Sequence, residues 1–226
     1  NLERIAAEGA LFERAHSNAS WTAPSTTSFD TSLSHSVLGG GRGDRNPLPR
    51  QVTTIAEHLH GAGYQTGELT SNSNAGRLNG IERGHDIVRD VGFGDQRGRA
   101  ISSVSLHEDF WQWREASPGE PYYVHFQTTD VHGGHYPVPP FAGLFISADR
   151  RRLLDAWQER LGQARTPGVR DDRGWFERAG VDYVDYYTAQ RDLHDETMAH
   201  QDHQLGQLVA RLKATGEWER TVLIVA

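Results

Sequence analysis

The spacing of apolar and polar positions switches repeatedly between a helical period and an extended one. Apolar residues recur at helical spacing in the segments that we predict to be helices, which are residues 2–8, 22–33, 52–60, 101–115, 149–164 and 181–214. Short apolar runs predict strands, and these are residues 10–16, 64–71, 122–128 and 221–226. This alternation predicts an α/β fold in which a mainly parallel sheet is sandwiched by helices.

Length and composition are typical of a single sizeable domain. The chain has 226 residues, of which 36% are hydrophobic and 23% are charged, so we predict one domain with a substantial core over residues 1–226. Residues 166–180, rich in Arg, Asp and Gly, are the best candidate for a lid or an insertion. Because the closing run 221–226 is typical of a buried parallel strand, we expect the sequence to be part of a larger fold.

Charge and residue types exclude several classes of function. The formal net charge is −7, which disfavours a nucleic-acid partner because such proteins present a basic surface. The chain has no cysteine, so disulfides, thiolate metal sites and cysteine nucleophiles are excluded. The sequence shows neither a signal peptide nor an apolar run long enough to span a bilayer, and it leaves the compartment open.

The most informative stretch for chemistry is residues 20–29, where Thr22 precedes Pro24 within a run of hydroxyl residues. Thr is a favoured N-cap and Pro is tolerated in the first turn, so we predict that Thr22 caps the helix that follows. A hydroxyl there lies beside N–H groups that stabilise a bound anion. Covalent transfer of a phosphoryl or sulfuryl group needs such a hydroxyl, and plain helix capping is the alternative interpretation.

Several segments resemble, in the same order, those of a known family. Residues 1–12 and 20–39 are similar to the family's nucleophile region, and residues 48–86 are similar to the helix–strand unit that follows. The Asp130-Val131-His132 motif after the strand 122–128 resembles an Asp-Pro-His motif, with Val in place of Pro. With residues 202–206 and 221–226 included, the chain resembles the sulfatase family of the alkaline-phosphatase superfamily over most of its length.

This resemblance implies a metal-dependent hydrolase that cleaves a sulfate or phosphate ester of a small molecule through a covalent adduct on Thr22. It also implies that Thr22 contacts a divalent metal ion, whose identity among Ca, Mg, Mn and Zn is open. His132 would protonate the leaving group or bind a substrate oxygen. Asp130 and His135 would belong to the substrate-binding site, with capping or orientation as the alternative for Asp130. The family's other metal ligands, an Asp pair and an Asp-His pair, would lie outside this chain.

Three positions depart from the family pattern and keep other functions open. Most family sulfatases have Cys or Ser where this chain has Thr22, an Arg where it has Thr26, and a His where it has Leu38. Thr at the nucleophile position is typical of relatives that act on phosphate esters, so a phosphodiesterase or a phosphoglycerol-type transferase is one alternative. A catalytically inactive binding module is the alternative from another class.

Three histidines of the predicted helix 181–214 raise the question of a separate zinc site. His200 and His203 share a helix face, as metal ligands can. His194 lies on another side, and amphipathic helices often carry solvated histidines. A zinc site is therefore the less favoured interpretation of these residues.

Overall fold

A computed structural model of the chain describes residues 1–38, 48–91, 103–164 and 172–226. These residues fall into two compact units, Asn1–Asp130 and Val131–Ala226. A single domain over the whole chain stays a prediction. Of the predicted lid or insertion, residues 166–171 lie outside the described part, and Asp172–Ala179 is an α-helix.

The first unit is built on a parallel sheet. Strand β1 (Gln65–Thr70) lies between β2 (Ile87–Asp90) and β3 (Tyr122–Gln127), in the order β2-β1-β3. Residues 66–70 of β1 are all buried. A central strand with neighbours on both edges is typical of α/β proteins, and the predicted parallel α/β fold is confirmed. Strand β2 was not predicted, because a run of four residues carries little periodicity.

The helices of the first unit are α1 (Leu2–Glu8), α2 (Thr22–Thr31), α3 (Ile55–Gly61) and α4 (Ser103–Ala116). The start of α3 is fixed by a capping box between two side chains. Thr54 Oγ1 accepts the N–H of Glu57 at 3.1 Å, and Glu57 Oε2 accepts the N–H of Thr54 at 2.8 Å. An N-terminal cap of this kind stabilises a helix by about 1 kcal/mol.

Helices cover both faces of the sheet. On one face, the ring of Phe110 in α4 lies 5.7 Å from that of Tyr122 and 5.4 Å from that of Phe126. On the other face, the ring of Phe29 in α2 lies 5.6 Å from that of His125. Because successive strand residues point to opposite faces, α2 covers the face that carries residue 125 and α4 covers the face that carries residues 122 and 126. The predicted sandwich of helices around the sheet is therefore confirmed.

The second unit is helical among its described residues. It contains α5 (Ala148–Ala164), α6 (Asp172–Ala179) and the long α7 (Tyr183–Ala214). None of the helices in the described ranges combines the length and the apolar character that a bilayer crossing requires. The three helices of this unit share one apolar core, which consists of Ile146, Leu154, Trp157, Phe176, Ala179, Val181, Ala189 and Leu193.

Two of the predicted strands are wrong. Residues 10–16 and 221–226 have no strand conformation, and large apolar side chains in both runs are exposed, 81% for Phe12 and 89% for Val222. A run of apolar residues becomes a strand only where a neighbouring strand pairs with its N–H and C=O groups. No strand in the described part of the chain pairs with either run.

Glu196 is a buried carboxylate in the middle of α7, with only 1% of its surface exposed. Its Oε1 accepts the backbone N–H groups of Gly143, Phe145 and Ile146 at 2.9, 2.9 and 3.0 Å. These bonds matter because a buried N–H group without a partner costs about 1–3 kcal/mol. Glu196 therefore holds the loop that precedes α5 against α7.

Substitution of Glu196 is expected to detach this loop. In Glu196→Leu, three N–H groups lose their acceptor, and we expect the free energy of unfolding to fall by about 3 kcal/mol or more. Glu196→Gln keeps an amide oxygen as acceptor and is expected to lose about 1 kcal/mol. Urea denaturation of both variants and the wild type measures the difference. Equal losses in the two variants would show that the Oε1 contacts do not hold the loop.

Candidate functional site

Thr22 is the first residue of α2 and not the N-cap that the sequence predicted. Trp21 occupies the N-cap position with extended backbone angles (φ −143°, ψ 160°), and its side chain makes no capping hydrogen bond. Thr22 has helical geometry, whereas an N-cap residue does not. Pro24 lies in the first turn, where its missing N–H removes no helical hydrogen bond. The Thr22 hydroxyl is therefore available for contacts outside the helix.

The hydroxyl of Thr22 meets the side chain of Asn72, which lies two residues beyond the end of β1. Asn72 Nδ2 donates to Thr22 Oγ1 at 3.3 Å. Asn72 is 2% exposed, and its Oδ1 accepts the N–H of Asn74 at 3.0 Å. Because a backbone N–H can only donate, this second bond fixes which end of the amide faces Thr22. Thr22 Oγ1 accepts this hydrogen bond and keeps its own proton available for transfer.

The start of α2 suits an anion. Thr22 is half-buried, whereas Thr26 and Asp30 further along α2 are buried. The first N–H groups of a helix have no partner within the helix, and the helix dipole is positive at this end. The described first turn of α2 contains no acidic residue that would oppose an anion. A hydroxyl, an amide donor and a positive helix end therefore lie together, and this combination suits a tetrahedral oxyanion.

Packing accounts for two of the departures from the family pattern. Thr26 is 8% exposed, and its hydroxyl donates to the backbone oxygen of Thr22 at 2.9 Å. Leu38 is buried in an apolar cluster with Leu48, Ala75 and Ile81. Both side chains contribute to the structure around α2, and neither presents a charge to a ligand.

Asp130 ends the first unit, and its carboxylate holds the start of α4. Oδ1 accepts the Ser103 hydroxyl at 2.7 Å, and Oδ2 accepts the Ser103 N–H at 3.1 Å. Asp130 is 6% exposed. These contacts correspond to the capping role that the sequence left open. Substrate binding by Asp130 stays a prediction.

His132 and His135 lie in the second unit. His132 is exposed, and its Nδ1 lies 3.4 Å from the backbone oxygen of Gly133. The ring of His135 packs edge-on against that of His194, with 5.0 Å between ring centres. Burial, with smaller contributions from His194 and His132, lowers the pKa of His135, so its ring is neutral at pH 7. The structure thus joins Thr22 to Asn72 in one unit and groups these histidines in the other.

The described residues do not form a metal site. In the ranges 1–38, 48–91, 103–164 and 172–226, no three His, Asp or Glu side chains are grouped in a way that could hold an ion. On α7, His200 and His203 hydrogen-bond through Nε2 to Gln204 and Gln207 at 3.2 and 2.9 Å. These glutamine contacts argue against the zinc interpretation.

A buried ionisable cluster beneath α2 was not predicted from the sequence. Glu68 in β1 is fully buried, and its Oε2 lies 2.9 Å from Nδ1 of His125, the residue directly opposite in β3. His85 Nε2 lies 3.8 Å from the same oxygen, and Asp30 of α2 is 3% exposed. A carboxylate inside the predicted strand 64–71 was the available signal, because such a group needs a partner when the strand is buried.

Burial and neighbouring charges shift the pKa values of this cluster. Burial raises the pKa of Asp30 to about 7, with His125 opposing the shift and Glu68 adding to it. Burial also raises the pKa of Glu68. Burial opposes the charge on His125, but the hydrogen bond to Glu68 and the negative charges of Glu68 and Asp30 together outweigh it and raise the pKa of His125. Burial lowers the pKa of His85 to about 4, so this ring is neutral at pH 7.

Comparisons with known proteins give the family from the sequence and the fold from two solved structures. The sequence profile of the Sulfatase family matches residues 1–226. The phosphonate monoester hydrolase of Agrobacterium radiobacter has a TM-score of 0.60 and 15% identity, over 96% of this chain and 55% of that chain. BT4656, solved in complex with its substrate D-glucosamine-2-N,6-O-disulfate, has a TM-score of 0.63 and 16% identity, over 96% of this chain and 57% of that chain.

The chain thus spans a little over half the length of each of these two solved proteins. A comparison with curated proteins gives no match. The two structural likenesses show that the fold is shared, and the sequence profile covers every residue. The chain belongs to the sulfatase family.

Proposed function

We propose that this chain is the catalytic core of a hydrolase that cleaves a sulfate or phosphate ester of a small molecule, with Thr22 as the nucleophile. The supporting observation is the hydroxyl of the half-buried Thr22, which accepts a hydrogen bond from Asn72 at the positive end of α2. Of the two solved proteins described above, one is a phosphonate monoester hydrolase and one was solved with a disulfated glucosamine. A phosphonate monoester and a sulfated sugar both carry tetrahedral oxyanion groups.

In the proposed first step, Thr22 Oγ1 bonds to the sulfur or phosphorus atom, and the bond from that atom to the ester oxygen breaks. The Thr22 proton leaves through water, and the departing alkoxide gains a proton and is released as an alcohol. Water then attacks the adduct, which restores the Thr22 hydroxyl and releases sulfate or phosphate. Two displacements through a covalent adduct thus replace one direct attack by water.

Asn72 and the first turn of α2 are proposed to stabilise the charge that develops in this step. Asn72 Nδ2 already donates to Thr22 Oγ1, so it stabilises negative charge on that oxygen as the proton leaves. The N–H groups at the start of α2 are proposed to bind the nonbridging oxygens of the transferred group. These donors are fixed before the reaction, so little reorganisation is needed.

The remaining predicted site residues receive supporting roles. His132 is the proposed proton donor to the leaving oxygen, since an imidazole can give and take a proton near neutral pH. His135, which burial keeps neutral, is proposed to hydrogen-bond the substrate. Asp130 is proposed to serve substrate binding while its carboxylate holds the start of α4.

Members of the sulfatase family generally use a divalent metal. Thr22 is the residue of this chain that we propose as a ligand for such an ion. The side chains present do not fit an ion by themselves, because the described residues contain no group of three His, Asp or Glu that could hold one. No step of the proposed mechanism is therefore assigned to a metal ion.

Two alternatives are separated from this proposal by the choice of ester. A phosphodiesterase or a phosphoglycerol-type transferase would cleave bis(4-nitrophenyl) phosphate in preference to 4-nitrophenyl sulfate and 4-nitrophenyl phosphate. An inactive binding module would cleave none of the three. Comparing kcat/KM for these esters, with divalent cations supplied, distinguishes the three functions.

Thr22→Ala is expected to lower kcat by roughly 1,000-fold or more, because it removes the atom that forms the adduct. Thr22→Ser keeps a hydroxyl and is the matched control, which should retain measurable turnover. Since Thr22 is half-buried, both variants should unfold within about 1 kcal/mol of the wild type. Steady-state kinetics and thermal unfolding measure these effects. An active Thr22→Ala variant would refute the assignment.

Asn72→Ala is expected to lower kcat by roughly 100-fold, because it removes the fixed donor to Thr22 Oγ1. Asn74 supplies backbone groups to the same turn, since its N–H donates to Asn72 and its C=O accepts from Asn79. Asn74→Ala keeps both backbone groups and is the control. Kinetic assays of the two variants give the comparison. Equal kcat in Asn72→Ala and the control would show that the donor has no role in turnover.

A further inference from the structure

The helix that carries Thr22 lies over a buried group of ionisable side chains. Glu68 in β1 and His125 in β3 face each other beneath α2, with 2.9 Å between Oε2 and Nδ1. Asp30 enters the same space from α2 and is 3% exposed. Neither oxygen of its carboxyl group has a hydrogen-bond partner among the described residues. The apolar packing of α2 does not require an acid at this position.

Asp30 lies on the same side of α2 as Thr22. Residues 22, 26 and 30 are spaced by four, so they form a stripe along one side of the helix. The rise per residue places Asp30 about 12 Å from Thr22 along the helix axis. Asn72 and Glu68 are four residues apart on the β1 side, which corresponds to about 13 Å of extended chain. These two lengths match. We therefore infer that α2 meets the β1 segment at two points: Thr22 contacts Asn72, just beyond the end of β1, and Asp30 lies over Glu68 within it.

We propose that Asp30 is a positioning residue: while its carboxyl group is uncharged, α2 stays seated over the Glu68–His125 pair, and this holds Thr22 against Asn72. The proposal rests on the proposed role of Thr22. In its neutral form Asp30 adds no charge to the space beneath α2, where the Glu68–His125 pair carries no net charge. In its ionised form it places a second carboxylate near Glu68, so α2 must shift or admit water.

The groups that face Asp30 come from two elements. Glu68 from β1 repels an ionised Asp30, and His125 from β3 attracts it. The third group that faces Asp30 is the buried phenol of Tyr123 in β3. Its pKa is raised by that burial and by the charges of Asp30 and Glu68. None of the three supplies a hydrogen bond to the Asp30 carboxyl group.

Three further groups act on the cluster through Glu68. Glu82 and Asp90 add negative charge near Glu68, and the neutral His85 lies 3.8 Å from Glu68 Oε2. Burial dominates the balance for Asp30 and raises its pKa to about 7. The change from the seated form of α2 to the shifted form is therefore expected near neutral pH.

The direct test follows Asp30 and Thr22 together by NMR, with the side-chain carboxyl carbon of Asp30 and the methyl group of Thr22 as reporters. In the wild type, both signals are expected to change with one common midpoint near pH 7. In Asp30→Asn, which resembles the neutral acid, the Thr22 methyl signal should not move at that pH. Asp155→Asn, at an exposed carboxylate paired with Arg151, is the control and should keep the wild-type titration.

Two results would overturn the proposal. One is an Asp30 carboxyl group that titrates at the ordinary acidic pH of an exposed Asp. The other is a Thr22 methyl signal that does not follow the Asp30 midpoint. Both are read from the wild type, so the test remains decisive even if Asp30→Asn does not fold.

The pH dependence of stability gives a second readout, and its sign follows from the pKa shift. Because the pKa of Asp30 is raised, the folded protein binds the Asp30 proton more tightly than the unfolded chain does. Protonated Asp30 therefore contributes its full stabilisation of the folded state below pH 3.8, and this contribution is lost as the pH rises to about 7. His85 acts in the opposite sense, since stability is lost as the pH falls from 6.5 to about 4. Subtracting the Tm of Asp30→Asn from that of the wild type removes the His85 contribution. This difference should decline between pH 4 and 7, and a constant difference would contradict the proposal.

Kinetics separate this proposal from the proposed function. Above about pH 7, kcat should fall further in the wild type than in Asp30→Asn, with KM unchanged. The proposed proton donor His132 is present in both proteins, so its effect on kcat cancels in the comparison. The same alkaline fall in both proteins would overturn the positioning role. A wild type that turns over no ester would contradict the proposed function, and the NMR titration would still decide whether Asp30 positions Thr22.

Discussion

A carboxylate in the middle of the central strand is the constraint on which the first unit depends. Glu68 is fully buried in β1, and burial of an unpaired charge costs several kcal/mol. His125 supplies the partner from the position directly opposite in β3. A slip of one residue would turn one of the two side chains to the other face of the sheet. The register of β1 against β3 is therefore fixed by a charge interaction as well as by apolar packing.

The same strand also places the candidate site. Asn72 follows the end of β1 and donates to Thr22, and Asp130 follows the end of β3 and holds the start of α4. The carboxyl ends of parallel strands form the edge at which α/β proteins bind ligands. The contacts that fix β1 therefore also fix the donor that meets the Thr22 hydroxyl. The sheet and the proposed chemistry depend on one strand.

The periodicity of the sequence was sufficient to predict α2, α4, α5, α7, β1 and β3 to within a few residues, because each carries enough residues to show its pattern. Residues 10–16 and 221–226 were predicted wrongly, since strand formation depends on a partner that the pattern does not reveal. Thr22 could be singled out from local chemistry and from family resemblance. Its contact with Asn72 joins residues 50 apart, and that of Glu68 with His125 joins residues 57 apart. Contacts at such separations arise only from the strand order, which local patterns do not give.

The central claim is that Thr22 forms a covalent bond to the transferred group, and trapping of that adduct tests it most directly. The protein would be mixed with a 4-nitrophenyl ester of sulfate or phosphate, quenched in acid within the first turnover, digested and analysed by mass spectrometry. We predict a mass increase of one sulfuryl or phosphoryl group on the peptide that contains Thr22, localised to that residue by fragmentation. Turnover of the ester with that peptide unmodified at every quench time would contradict the account.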